Sequence, residues 1–175
     1  MFNGVRVRLR KMSSDDVSTY HEWRNDLEVM HFTNSTLDVY TYADTENLFE
    51  QITESNNSKI YIIEEVEGNK PIGVTSLINI DYVNRNAECN ISLGDKNYWG
   101  KGLGQEAFRL LLNFAFKELN LHKVYLRVFS YNKGAIKLYQ KLGFYEEGEL
   151  KEHFYRDGSW HNVIFMGLFK RNYKQ

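Results

Sequence analysis

At 175 residues, 42% of them hydrophobic, the chain can bury one sizeable core and no more, so a single domain over residues 1–175 is expected. One cysteine excludes an internal disulfide framework, and the lack of a leader pattern at Met1 and of long apolar stretches points to a cytoplasmic protein with no membrane partner. The net charge of −1 hides an asymmetry: Ser13–Ser58 carries ten acids against Arg24 alone, and no basic run or aromatic-and-basic module suggests nucleic acid.

Val5–Arg10 alternates apolar and charged residues, as a half-buried strand does. Ser13 or Ser14 offers an N-cap with acids following, which predicts a helix from Asp15 to about Leu27. Asp44 to Thr53 reads as a second helix with Leu48, Phe49 and Ile52 on one side. Strands are expected at Ile60–Val66 and Ile72–Ile80, around the turn Glu67–Pro71, and at Ala87–Leu93 after a polar stretch. A helix running to about Leu119 places Leu103, Ala107, Leu110 and Phe114 on one face. His122–Phe129 follows as a strand, and Asn132 caps a helix that ends at Leu142, with Gly143 as its stop. Phe144–Tyr155 and Trp160–Phe169 form a hairpin turned at Asp157-Gly158. The strand–helix–strand run over 87–129 should be a right-handed parallel unit, and the other strands look antiparallel. The expected architecture is α/β (α+β mixed), a mixed sheet flanked by helices.

Residues 97–107 read NYWGKGLGQEA. Glycines at 100, 102 and 104 leave backbone N–H groups free to turn toward one point, and the helix behind them adds its own unsatisfied N–H groups. The pattern suits a phosphate. Gly102-x-Gly104-x-x-Ala107 also matches a dinucleotide fingerprint, but the next strand, Leu121 to Ser130, lacks the required acid. A nucleoside-triphosphate loop is excluded, because no glycine–lysine is followed by Ser or Thr at the required spacing.

A second cluster runs from Asn132 to Tyr139 and continues as Lys141-Leu142-Gly143-Phe144. Asn132 and Tyr139 lie two helical turns apart, so both can face one cleft. Together the loop and this helix resemble the GNAT superfamily of acyl-CoA-dependent N-acetyltransferases. The resemblance covers essentially the whole chain and implies a mostly antiparallel sheet with a central parallel strand pair. It implies acetyl-CoA as co-substrate, its pyrophosphate over Trp99, Gly100, Lys101, Gly102, Leu103 and Gly104, and its pantetheine along Ile91, Ser92 and Leu93. Asn132 would lie against the cofactor's arm and Tyr139 beside the thioester sulfur. Trp99 stands where the family usually has Gln or Arg, and its backbone is expected to serve instead.

Amide formation from a thioester needs a neutral amine and a protonated leaving thiolate. A primary amine has a pKa near 10, so it must first lose a proton. Glu88, beside the expected cleft, is the candidate base through water; the competing reading is a surface carboxylate on an edge strand. Tyr139 is the candidate acid. Cys89 alternates away from Glu88 and is expected in the core, which favours direct attack in a ternary complex. The five histidines show no ligand spacing, so no metal is expected.

For the acceptor, Glu22–Asp26 resembles enzymes that acetylate ribosomal-protein N-termini. Ile80–Glu88, Leu119–Lys123 and Glu146–Gly158 look more similar to bacterial spermidine acetyltransferases. The acidic first third favours a polycation such as spermidine, with Arg24, Asp26 and Glu28 as candidate contacts, although His31-Phe32-Thr33-Asn34 departs from the spermidine pattern. A nucleotide-linked amino sugar and a non-catalytic acyl-CoA-binding module stay open as alternatives, as does a homo-oligomer.

Overall fold

Strands β1 (Val7–Lys11), β2 (Lys59–Glu65), β3 (Lys70–Asp81), β4 (Asn86–Leu93), β5 (Lys123–Phe129), β6 (Tyr145–Arg156) and β7 (Ser159–Phe169) form one sheet. Their order is β1-β2-β3-β4-β5-β7-β6 in the computed structural model, which describes residues 2–174. All neighbours are antiparallel except β4 and β5, which are parallel. The expected mixed sheet with a central parallel pair is present.

Helix α4 (Leu103–Asn113) connects β4 to β5 and carries the main core. Its Leu103, Ala107 and Leu111 recur every four residues, with Phe108 and Leu112 beside them, and all are buried. They share one apolar cluster with Val7, Ile63, Ile72, Cys89, Val124 and Leu126 of the sheet and with Tyr139 of α5 (Lys133–Lys141). Each large apolar side chain so buried contributes about 1.5–3 kcal/mol. Helices α1 (Val17–Asn25), α2 (Leu27–Thr33) and α3 (Tyr42–Glu54) precede β2, and Val17, Val29 and Met30 are buried outside that cluster, as is Ile62 of β2. Among the described residues no helix is long and apolar enough to cross a membrane.

The helix expected from Asp15 to Leu27 is broken. A 3-10 turn at Ser14–Asp16 leads into α1, and Asp26 adopts an extended backbone whose carboxylate accepts from the N–H groups of Glu28 and Val29. Asp26 thus caps a separate helix, α2, that the run of acids disguised. Strand β1 starts at Val7 rather than Val5, because the Val5 and Arg6 N–H groups bond to the Glu106 carboxylate at 2.7 and 2.8 Å. Helix α4 continues to Glu118 through a π-helical turn, Phe114–Glu118, in which Leu119 N–H reaches Phe114 O.

Two irregularities shape the site. The β3–β4 register shifts between Ile78 and Asp81, where Asn79 has φ 51°. The β6–β7 register shifts between Leu150 and Phe154, where Glu152 has φ 46° and its N–H is held by Asn162 Oδ1 at 2.8 Å.

Candidate active site

Strands β4 and β5 pair only from Asn86 to Glu88 and from Lys123 to Tyr125. Beyond that point they separate, while the other side of β4 stays paired with β3 as far as Leu93. A cleft of about 1080 Å³ lies there, lined by Ile91, Ser92 and Leu93 from β4, Val128 and Phe129 from β5, and the first turns of α5. The strand residues expected along pantetheine therefore line the cleft.

At one end lies the glycine loop. Asp95 caps a 3-10 turn, Lys96–Tyr98, and the Trp99 N–H is spent on Lys96 O at 3.1 Å. The Trp99 backbone is therefore not a free donor, contrary to the sequence expectation. Its indole Nε1 instead donates to Leu93 O at 2.8 Å, which anchors the loop to the end of β4. Gly100 and Gly102 have φ of 71° and 80°, a region that suits glycine. The backbone N–H groups from Gly100 to Gln105 have no protein acceptor among the described residues, and they sit at the positive end of α4. That arrangement fits a pyrophosphate. Trp99, Gly100 and Gly104 line the cleft, Lys101 and Gly102 are exposed, and the Leu103 side chain is in the core.

Two residues that the sequence reading missed hold this loop. The Glu106 carboxylate binds the N-terminal arm, and the Arg6 guanidinium joins Glu106 at 3.0 Å to Lys101 O at 2.9 Å. Only the fold brings positions a hundred residues apart into register.

Helix α5 supplies Asn132 and Tyr139 to the same cleft. Asn132 Oδ1 caps the helix through Ala135 N–H at 3.1 Å, which leaves its Nδ2 for a ligand. Tyr139 is 7% exposed and packs on Phe108 and Phe144. Burial, with a smaller contribution from the Cys89 thiol, pushes its hydroxyl well above the ordinary tyrosine value. The phenol stays protonated and can donate. Cys89 is fully buried and its Sγ donates to Tyr125 O, and burial also pushes the thiol well up, which is wrong for a nucleophile.

Glu88 is 4% exposed, which removes the surface-carboxylate reading. Arg127 Nε and Nη2 donate to its two oxygens at 2.9 and 3.3 Å, and Asn79 Nδ2 reaches it at 3.4 Å from the β3 bulge. Arg127 was not foreseen. An arginine in an alternating strand carries no signal of its own until the neighbouring strand is known.

Elsewhere the lining is aromatic. Phe129 stacks on Phe154 at 4.4 Å, Phe32 faces Trp99 of the glycine loop edge-on with centroids 6.0 Å apart, and the β6 bulge brings Leu150 and His153 to the lining. The end of α2 is tied to the β5–α5 turn, where Tyr131 OH donates to His31 O, and to the β6–β7 hairpin, where Arg156 Nη2 donates to Asn34 O.

None of Arg24, Asp26 and Glu28 lines this cleft. Arg24 lies over the Tyr40 ring and donates to Asp44 O, and Asp26 and Glu28 both pair with Lys96. Asn25 joins the His21 and Tyr40 backbones, while Trp23 packs so tightly on Gly94 that a side chain there would meet the ring within 2.1 Å. The Glu22–Asp26 stretch clamps α1 to α3, to segment 34–41 and to the end of β4. Among the described residues, no group of His, Cys, Asp and Glu is arranged to hold a metal.

Comparison with known proteins agrees with this geometry. Residues 6–145 match the acetyltransferase (GNAT) domain family. The chain is 32% identical over 167 residues to the spermidine N(1)-acetyltransferase of Escherichia coli K12, covering 95% of this chain and 88% of that one. A 102-residue match at 34% identity, 58% of this chain and 55% of the relative, is to the putative ribosomal N-acetyltransferase YdaF of Bacillus subtilis. Among solved structures, spermidine N-acetyltransferase from Vibrio cholerae in complex with CoA and spermine superposes with a TM-score of 0.89 at 29% identity, over 96% of this chain and 98% of that one. With the splayed parallel pair, the glycine loop and the family match in agreement, this chain belongs to the GNAT acetyltransferases and is an acyltransferase with acetyl-CoA as its co-substrate.

Proposed function

We propose that this enzyme moves the acetyl group of acetyl-CoA onto a primary amine of a polyamine such as spermidine, by direct attack within a ternary complex. The observation that carries the reading is one cleft holding, in sequence, the unbonded N–H groups of the glycine loop, the unpaired edge of β4, and Tyr139 with Glu88. The pyrophosphate occupies the loop, with pantetheine along Ile91–Leu93. The neutral amine attacks the thioester carbon, its proton passes through water toward Glu88, and the C–S bond breaks as Tyr139 donates to sulfur. The inert setting of Cys89 supports direct transfer rather than an acyl-enzyme. Relatives similar over nearly the whole chain, named for spermidine, support the polyamine.

A second reading has its own observation. None of the acids between Ser13 and Ser58 lines the cleft, and much of its lining is aromatic. Such a surface also suits an amine carried on a larger, stacking group, as in a nucleotide-linked amino sugar or an N-terminal peptide. Thiol release from acetyl-CoA is measured with spermidine, spermine, N-terminal ribosomal peptides and amino-sugar nucleotides. Turnover with the polyamines supports the first reading, turnover with another member alone replaces it, and no turnover at all favours a non-catalytic binding module. Intersecting initial-velocity lines are expected for a ternary complex, and parallel lines would refute it.

A further inference from the structure

The pair between Glu88 and Arg127 bears on how the acceptor loses its proton. Among the described residues lining the cleft, Glu88 is the one carboxylate, and Arg127, whose side chain is 55% exposed, occupies both of its oxygens. A bare carboxylate beside an incoming amine would hold that amine as ammonium, which cannot attack. Resting on the acetyl-transfer reading, we infer that Arg127 is a positioning residue that cancels the field of Glu88, so that the bound acceptor gives up its proton more readily than it would beside an unpaired carboxylate. The guanidinium suits this role because it keeps its charge throughout the accessible pH range and binds a carboxylate through two parallel donors. Its charge also adds directly to the cost of a second cation at the same place, as an adjacent cation does for an activated lysine.

The other ionisable groups facing this pair are few. Cys89 on β4 and Tyr125 on β5 adjoin it, and burial, followed by the Glu88 charge, raises the Tyr125 hydroxyl. Across the cleft stand Lys133 and Tyr139 of α5, His153 of β6, Tyr20 of α1 and Tyr131. The limb that belongs to the Glu88–Arg127 pair is the one that moves when Arg127 is changed.

The test is the pH dependence of spermidine acetylation, across about pH 6 to 10, in wild type, Arg127→Gln and Arg127→Lys. In R127Q, kcat at pH 7 should fall about tenfold, and the acidic limb should move about one pH unit upward, so that the two enzymes converge in alkali. KM for spermidine should not rise, and R127K should restore most of the limb. R127Q leaves Glu88 with Asn79 as partner, so the double variant E88Q/R127Q removes the orphaned charge: its kcat stays low because the proton acceptor is gone, while the position of its limb should return toward the wild-type one. A fall by the same factor at every pH would make Arg127 merely structural and overturn the inference. A raised KM with an unmoved limb would also overturn it, by making Arg127 a seat for an anionic part of the acceptor. Absence of turnover by the wild type with every amine would overturn the acetyl-transfer reading and this inference together, a result distinct from either of those.

Discussion

The two ends of the cleft are built from different material. In the proposed reading the donor end is backbone: glycines at 100, 102 and 104, the first turn of α4 and the open edge of β4. The acceptor end is side chains drawn from α2, β5, α5 and the β6 bulge, held together by bonds such as Tyr131 to His31 O and Arg156 to Asn34 O. A backbone site binds whatever carries the right phosphate and needs a particular chain conformation. A side-chain site can be changed residue by residue while the conformation stays. One fold can thus keep its donor and vary its acceptor.

The largest expected effect falls where the two ends meet. Tyr139→Phe removes the proposed donor to sulfur and leaves packing on Phe108 and Phe144 intact, so kcat should fall about a hundredfold with little change in KM for acetyl-CoA. An unchanged kcat in a steady-state assay would take Tyr139 out of the mechanism.

Gly102→Val probes the donor end alone. The position is exposed with φ 80°, so conformation rather than space is at stake. A loss of about 1–2 kcal/mol in urea unfolding and about a tenfold rise in KM for acetyl-CoA are expected. Gly102→Asn, which tolerates that region, should recover most of both. Equal damage from Asn would mean that the loop needs the absence of a side chain and not the dihedral.

Asp26→Ala asks whether an acid before the acceptor end is a cap or a contact. Loss of the α2 cap should cost about 1 kcal/mol, with KM for the amine moved less than about twofold. The Lys96 hydrogen bond holds this carboxyl below its ordinary value, with help from the Val29 and Glu28 N–H groups. Its stabilisation is present above the unfolded carboxylate value of about 3.9 and is lost as pH falls through the lower folded value. The deficit of the variant, measured by chemical denaturation, should shrink in acid over that window. A deficit that stays constant would remove the charge from the argument.

The smallest effect belongs to the acidic surface. Glu46→Gln with Glu50→Gln, on α3 and outside the cleft, should leave KM for spermidine within about twofold. A clear rise would return the acids of the first third to acceptor binding.

The unequal legibility of the two ends follows from the same contrast. Alternating glycines before an amphipathic helix, and the Asn132–Tyr139 spacing that places both on one helix face, are local patterns, so the proposed donor end is visible in local sequence. The parallel β4–β5 pair followed from a strand–helix–strand run. The acceptor end depends on long-range register. Arg127 meets Glu88 because β5 lies beside β4, and Glu106 meets Arg6 because α4 crosses β1. The Asp26 break was hidden for another reason, since an acid is as ordinary inside an exposed helix as at its cap. Trp99 misled differently: its backbone was expected to serve at the pyrophosphate, but that N–H is spent on Lys96 O and the ring anchors the loop to Leu93 O.

The separation of β4 from β5 also has a consequence for stability. From Cys89 onward a strand in the middle of the sheet has the hydrogen-bonding needs of an edge strand. Any molecule that lies along it with amide groups of its own completes the sheet, and so binds the folded chain and not the unfolded one. Folding and loading are then one coupled equilibrium: at a hundred times its dissociation constant such a ligand adds about 2.7 kcal/mol to the stability of the chain. In the proposed placement of pantetheine along Ile91–Leu93, spent coenzyme stabilises the folded chain as the acetylated form does, since both carry the same arm.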